Sequence, residues 1–463
     1  MKTMSKTGTA TLGVGVPWDD FRASVSCSFL ERKGASHMNV THRMFQVIGL
    51  ILGLALGWES FASNAIADWH AVMESTVASA GRKNVVALPY FAYVDVAMYD
   101  AINSIDDRFR PFAVSVSAPR GASKDAAAAS AAHDVLAHYF PTQAATFDAA
   151  LATSLAAIAD SQSKTDGINV GKAVAGQWLA LRAGDGLEAA IVYTPGHGPG
   201  VWEPVPTYPA PPPNTPPAPV GVWMTQYKPF AMRSADQFLA DVHPPLALTS
   251  TAWARDFNLT KDYGALNSSV RTAAQTEIGR FWTDNAAAQY SRAFRALIAS
   301  QGLDTAASAR LAAMYSVVAS DAGTACMNAK YHFAFWRPYT AIHDADTDGN
   351  LDTVADPNWI PLAVTPGHPE YPANHGCVTE AVMDAMTAFF ETDEIPFSVT
   401  STVTGTTHSF DSFEDVVREV DNARIFGGMH FHHSVKEGNR LGRMVTEYVL
   451  KTHFRDKDEH KED

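Results

Sequence analysis

Apolar residues recur at helical spacing along almost the whole chain, and clean alternation of period two hardly occurs. The pattern runs through 68–80, 90–105, 126–139, 144–158 and 168–181, then through 252–263, 269–282, 286–298 and 306–335. Further helices are expected over 375–390, with Asn374 as N-cap, over 413–424 and over 435–452. Runs such as Ala126-Ala127-Ala128-Ala129 add intrinsic helix propensity to an apolar face that continues through Val135, Leu136 and Phe140. An all-α fold follows, with 463 residues enough for one domain or for two fused helical bundles.

Proline divides the pattern. From Pro195 to Pro219 it recurs too often for helix or strand ladder, so 193–233 reads as an extended connection between an N-terminal helical half, 66–192, and a C-terminal half, 234–463. Trp202, Tyr208 and Trp223 flank it and should hold it against the body.

Residues 38–65 have the form of a secretory signal: His42 and Arg43, an apolar run over 45–58, then Ser63-Asn64-Ala65 as a small-residue cleavage site. The run is roughly 14 residues against about 20 needed to span a bilayer, and Glu59 interrupts its end. Export to the periplasm or the exterior is expected. Residues 1–37 read as a disordered upstream extension, and no later stretch reaches the length of a stable membrane span.

Charge narrows the partners. Lys and Arg total 35 against 49 Asp and Glu, a net of −14, and the first 65 residues contribute six of the cations and four of the acids. The remaining body is more acidic still, which excludes nucleic acid and disfavours anionic membrane surfaces. A cluster of cations within such a chain points to a specific anion.

Three segments of the C-terminal half supply that cluster. Lys330 and Arg337 lie seven residues apart in one expected helix, two turns, so both should emerge on one face. The intervening Tyr331 to Trp336 is almost wholly aromatic or apolar, and burying two cations there is costly without an anion. Next, Pro369-Glu370-Tyr371-Pro372-Ala373-Asn374-His375-Gly376 is a stiff loop opening into a helix, whose N-terminus offers free N–H groups to an anion and a first-turn imidazole for proton transfer. Last, Ala423-Arg424-Ile425-Phe426-Gly427-Gly428-Met429-His430 turns at its glycines between a guanidinium fork and a second imidazole. Each residue alone reads as structural; together they describe a pocket for a tetrahedral oxyanion, phosphate or vanadate.

In order, Lys-x6-Arg-Pro, Pro-Ala-Asn-His and Arg-x5-His resemble the type 2 phosphatidic acid phosphatase and vanadium-dependent haloperoxidase superfamily. Phe335-Trp336-Arg337-Pro338, His368-Pro369-Glu370-Tyr371-Pro372 and Phe426-Gly427-Gly428-Met429-His430-Phe431 are similar to its soluble haloperoxidase-like branch. The resemblance implies two four-helix bundles with the pocket at the end of one. It implies that Lys330, Arg337 and Arg424 hold equatorial oxygens, that His430 is the axial ligand of vanadate or the phosphatase nucleophile, and that His375 is the acid–base residue. The partners it implies are hydrogen peroxide and halide, or a phosphate ester.

Two positions depart from the family pattern. Ala373-Asn374 stands where Ser-Gly is usual, removing a hydroxyl that Asn374 replaces in part, and Ser434 stands where an Asp often follows the final His by four residues. The orienting carboxylate must come from elsewhere, with Glu370 and Glu437 as candidates.

Other features carry less. Asp344, Asp346 and Asp348 before Gly349 match the first half of a calcium loop, but position twelve is Ala355, and an Asp-Gly turn in solvent is the competing reading. His430, His432 and His433 point in different directions and lack a second cluster for zinc or copper. No Gly-x-Ser-x-Gly turn supports a serine nucleophile. Cys326 and Cys377 are either a disulfide or two buried thiols. The leading expectation is a vanadium haloperoxidase-like enzyme; a soluble acid phosphatase and a catalytically silent oxyanion-binding protein are the rivals.

Overall fold

Side-chain caps decide where most helices start. In a computed structural model that describes residues 64–206 and 216–455, thirteen α-helices form. The first five are α1 Ala65–Ser79, α2 Leu88–Asp106, α3 Lys124–Tyr139, α4 Ala144–Ala156 and α5 Gln162–Arg182. After the proline-rich stretch come α6 Thr251–Gly264, α7 Ala273–Phe281, α8 Ala286–Gln301, α9 Thr305–Phe333, α10 Pro338–His343, α11 Asn374–Phe390, α12 Phe413–Phe426 and α13 His432–Thr452. Ser123, Ser161, Ser250, Asp304 and Ser412 each accept a first-turn N–H. A capping box of Thr272 and Gln275 starts α7 four residues later than apolar spacing alone suggests.

The extension at 1–37 and nearly all of the expected signal at 38–65 lie outside the described residues. Its last two residues do not. Asn64 caps α1 through Ile66 and Ala67 N–H and donates to Leu303 O at 3.1 Å and Ser308 Oγ at 2.9 Å. Cleavage after Ala65 would discard this cap.

Helices α2, α3 and α5 pack into an N-terminal bundle, and α9, α11, α12 and α13 into a C-terminal one, with α2 lying along α9 to join them. Residues 84–106 are long and apolar enough to cross a membrane, but 94% of that window is buried in protein, so it is a core helix. Each bundle holds a neighbouring loop by one buried carboxylate. Asp100 on α2 accepts N–H from Phe112, Ala113 and Val114, and Asp321 on α9 accepts from Phe230, Ala231 and Met232.

Helices α11 and α13 approach unusually closely because small residues face each other. A Cβ at Gly438 would lie 2.4 Å from Ala373 O, and one at Gly442 2.2 Å from Cys377 O. Backbone therefore packs on backbone just where α11 begins. The described part of the proline-rich connection also abuts this end: Trp202 N–H donates to Ala334 O at 2.6 Å, and Trp336 N–H to Gly200 O at 3.1 Å.

Three sequence expectations are corrected. Lys330 and Arg337 do not share a helix, because Ala334 turns left-handed at φ 45° and ends α9, leaving Arg337 in the extended link before α10. Asn374 is the first residue of α11; the N-cap is Ala373, which has no side-chain acceptor. The helical pattern also hid a hairpin, β1 Phe397–Thr400 paired antiparallel with β2 Thr407–Phe410.

Candidate oxyanion site

Four stretches converge at one end of the C-terminal bundle: the end of α9, the link before α10, the loop into α11, and the turn from α12 into α13. Lys330, on the last turn of α9, is fully buried and donates from Nζ to Pro369 O at 3.0 Å and Glu370 O at 2.8 Å. Arg337, also fully buried, donates from Nε to His368 O and from Nη2 to His368 Nδ1, both at 2.9 Å. Its Nη1 reaches Met429 O at 3.0 Å and His430 Nε2 at 3.2 Å. Arg424, on the last turn of α12 and 1% exposed, donates from Nη2 to Trp282 O at 2.6 Å, while its Nε is buried without a partner.

Charge is the unusual property of this cluster. Among the described residues, no carboxylate oxygen lies within 4.0 Å of the nitrogens of Lys330, Arg337 or Arg424; their partners are carbonyls and imidazoles. Burial pushes Lys330 down to about 7, Arg337 to about 10 and Arg424 to about 9. The fold holds cationic charge together in a dry place, where Glu370 and Asp421 offset it only from beyond ion-pair distance.

Both predicted histidines sit in this field. Burial first, then the positive charge of Arg337, Lys330 and Arg424, holds His430 well below its usual value. His375, half-buried on the first turn of α11, is lowered by burial and by Arg424, Lys330 and Arg337. Asn374 precedes it with Oδ1 buried and unpartnered. The predicted residues are thus neighbours although the chain separates them by up to a hundred positions.

The turn that delivers His430 requires glycine. Gly428 adopts φ +69°, and a Cβ there would lie 2.6 Å from Gly264 O at the end of α6. His430 then presents Nδ1 to Glu370 Oε1 at 2.8 Å, and the same oxygen accepts Phe431 N–H at 3.1 Å. Of the two carboxylates open from sequence, only Glu370 reaches the site. Glu437 instead accepts His243 N–H at 2.7 Å and pairs with Arg440.

His368 is a member that spacing did not single out. It is 8% exposed, and both its Nδ1 and its carbonyl hold Arg337. The available signal was its place one residue before Pro369, whose carbonyl takes Lys330.

Other candidates fall away. Asp344 and Asp346 are exposed, while Asp348 spends its carboxylate on Trp253 Nε1 at 2.9 Å, Asn350 N–H at 2.7 Å and the Thr353 hydroxyl. No group of three acidic, His or Cys residues fit for a metal occurs among the described residues, so calcium at this loop is not supported. Cys326 and Cys377 are free buried thiols that donate to Pro372 O and Ala322 O. A cleft of about 490 Å³ between Arg82, Tyr90, Tyr139 and Glu188 shares no residue with the cation cluster.

Residues 310–457, which contain every one of these predicted residues, match the family described as the VCPO second helical-bundle domain. This C-terminal region is similar in sequence to the vanadium haloperoxidases. Vanadium chloroperoxidase of Curvularia inaequalis is 28% identical over 152 residues, 27% of this chain, and the match spans only 24% of that protein's length. Likeness in fold extends further. A bacterial vanadium-dependent iodoperoxidase superposes with a TM-score of 0.68 at 20% identity, covering 85% of this chain and 96% of that one. A holo-type bacterial vanadium-dependent chloroperoxidase gives 0.63 at 16% identity, with 80% and 92% covered. The mostly helical fold is therefore shared with these two solved structures over most of the chain.

Proposed function

We propose that this chain is a vanadium haloperoxidase-like enzyme that uses hydrogen peroxide to oxidise a halide, and that Lys330, Arg337, Asn374, Arg424 and His430 would hold the vanadate it needs. The carrying observation is the set of three buried cations without a carboxylate partner. A tetrahedral oxyanion supplies the missing negative charge, and the unpartnered Nε of Arg424 supplies a donor to meet it. When bound, vanadate contributes a Lewis-acidic centre that activates peroxide toward halide.

The protein's own contribution is positioning and charge. Lys330 is anchored by two carbonyls and Arg337 by three oxygen and nitrogen acceptors, so neither cation must reorganise greatly as negative charge accumulates. His430 Nε2, now facing Arg337, is the nitrogen available to the central atom. Burial and then the positive field hold His375 neutral; a bound anion offsets that field and raises the imidazole's proton affinity, which suits it to carry a proton to or from a reacting oxygen.

The same residues support a phosphatase reading, because phosphate is a tetrahedral oxyanion like vanadate and meets the same buried cations. In that reaction His430 Nε2 attacks phosphorus, the P–O ester bond breaks as His375 protonates the leaving oxygen, and water then cleaves the N–P bond. Bromination dependent on vanadate, bromide and peroxide tests the first reading, and p-nitrophenyl phosphate hydrolysis without vanadate tests the second. A protein that binds oxyanion and catalyses neither is a binding protein. Full activity in His430→Ala would defeat both enzymatic readings.

A further inference from the structure

The residue at 434, one turn beyond His430 on α13, is Ser, so the position where related chains often carry an Asp has no carboxylate. The structure assigns the missing function to Glu370, sixty positions upstream, as the positioning residue that fixes the tautomer and orientation of His430. This rests on the reading of His430 as the residue that presents Nε2 to an oxyanion.

Two independent contacts set the tautomer. Arg337 Nη1 has only protons to give, so His430 Nε2, 3.2 Å away, must accept. Neutral imidazole then carries its proton on Nδ1, which points at Glu370 Oε1 at 2.8 Å. The carboxylate is held rigidly: Glu370 is fully buried, Oε1 also takes Phe431 N–H at 3.1 Å, and its own backbone carbonyl is gripped by Lys330. One side chain therefore ties the axial imidazole to the segment that leads into α11.

The geometry also brings positions 370 and 434 together. Glu370 and Ser434 line the same small cleft, together with Trp253, Tyr371 and Phe431. The Ser434 hydroxyl lies beside the Glu370 carboxylate, although Oε2 and Oγ each lack a strict hydrogen bond. A carboxylate grown from either position enters one space, so relocation from 434 to 370 leaves the acceptor next to the same imidazole.

The test compares wild type with Glu370→Ala, Glu370→Gln and the double variant Glu370→Ala/Ser434→Asp. Binding of orthovanadate and of inorganic phosphate is measured by titration calorimetry, and the His430 tautomer by nitrogen-15 NMR. Loss of an orienting partner costs about 10- to 100-fold in affinity at comparable sites. Glu370→Ala should fall in that range and lose the hydrogen-bonded shift of the Nδ1–H signal, while Arg337 still holds Nε2 as acceptor. Glu370→Gln keeps an amide oxygen as acceptor and should stay within about threefold of wild type. The double variant should recover most of the loss, which a purely space-filling role for Glu370 does not predict. Wild-type-like affinity and an unmoved Nδ1–H signal in Glu370→Ala, or folded variants in which Ser434→Asp restores nothing, overturn the assignment. An Nε2–H tautomer in wild type overturns it without any variant. If wild type binds neither oxyanion, the reading of the pocket fails, while the tautomer still decides the role of Glu370.

Discussion

His375 and His430 share a field but not a job, and their substitutions should separate cleanly. His430 touches the central atom in either proposed reaction, so His430→Ala should lose both oxyanion affinity and turnover. In the proposed reactions His375 acts on protons alone, so His375→Ala should bind orthovanadate nearly as wild type while kcat falls by about 10²- to 10⁴-fold. Calorimetry beside steady-state rates distinguishes them, and a parallel loss of affinity in both variants would contradict the division of roles. Ala373 allows a third test. It occupies the N-cap of α11 with extended backbone, φ −72° and ψ 120°, and lacks a side-chain acceptor. Ala373→Ser adds one, and should raise stability in urea by about 1 kcal/mol in the absence of an anion. An unchanged midpoint would mean that the serine hydroxyl faces the pocket instead. The motif residues were legible in sequence because their order and spacing are distinctive. The Glu370–His430 contact was legible only as one of two candidates, because sixty positions of chain separate two residues that only the finished fold brings together.

Elements outside the bundles show what apolar periodicity misses. Four-residue strands such as β1 are too short for alternation to stand out from a helical background, and the hairpin is held by contacts invisible in a pattern. His408 on β2 stacks on Phe281 at 3.8 Å and bridges Glu419 of α12 at 2.6 Å and Glu277 of α7 at 2.9 Å. Burial disfavours its charge, but the two carboxylates outweigh it and raise its pKa. A group with a raised folded-state pKa stabilises fully below its unfolded value, about 6.5, and that contribution disappears as pH rises through the folded value. The difference in melting temperature between wild type and His408→Gln should therefore be greatest below pH of about 6.5 and shrink at alkaline pH. A difference independent of pH would show that stacking, not charge, secures the hairpin. Helix ends were predicted less well than helices, since Ala334 and Thr272 set them through local turns. The close approach of α11 to α13 was equally hidden. Gly442→Ala should cost about 3 kcal/mol, read as a lowered urea midpoint, because the new Cβ meets Cys377 backbone at 2.2 Å and neither helix can easily retreat.

At the scale of the molecule, the proposed anion would clamp α9, the start of α11 and the end of α12, all in the C-terminal bundle. The N-terminal half contributes none of the predicted residues, yet α2 lies along α9, and α9 is buried over most of its length by neighbours from both bundles. A ligand that binds only the folded state stabilises it by about 2.7 kcal/mol when free ligand is roughly a hundred times Kd. Orthovanadate or phosphate should thus raise the melting temperature, whereas chloride at equal ionic strength should not, because the charges to be satisfied are buried and specifically arranged. His430→Ala should blunt the rise. The shared α9 makes the further prediction that calorimetry records one transition moving as a unit, with the N-terminal bundle carried along although it never touches the anion. A melt in two steps, of which only one responds to oxyanion, would mean that the α2–α9 contact is a docking interface between separately folding halves and that the stability gained at the pocket stops there.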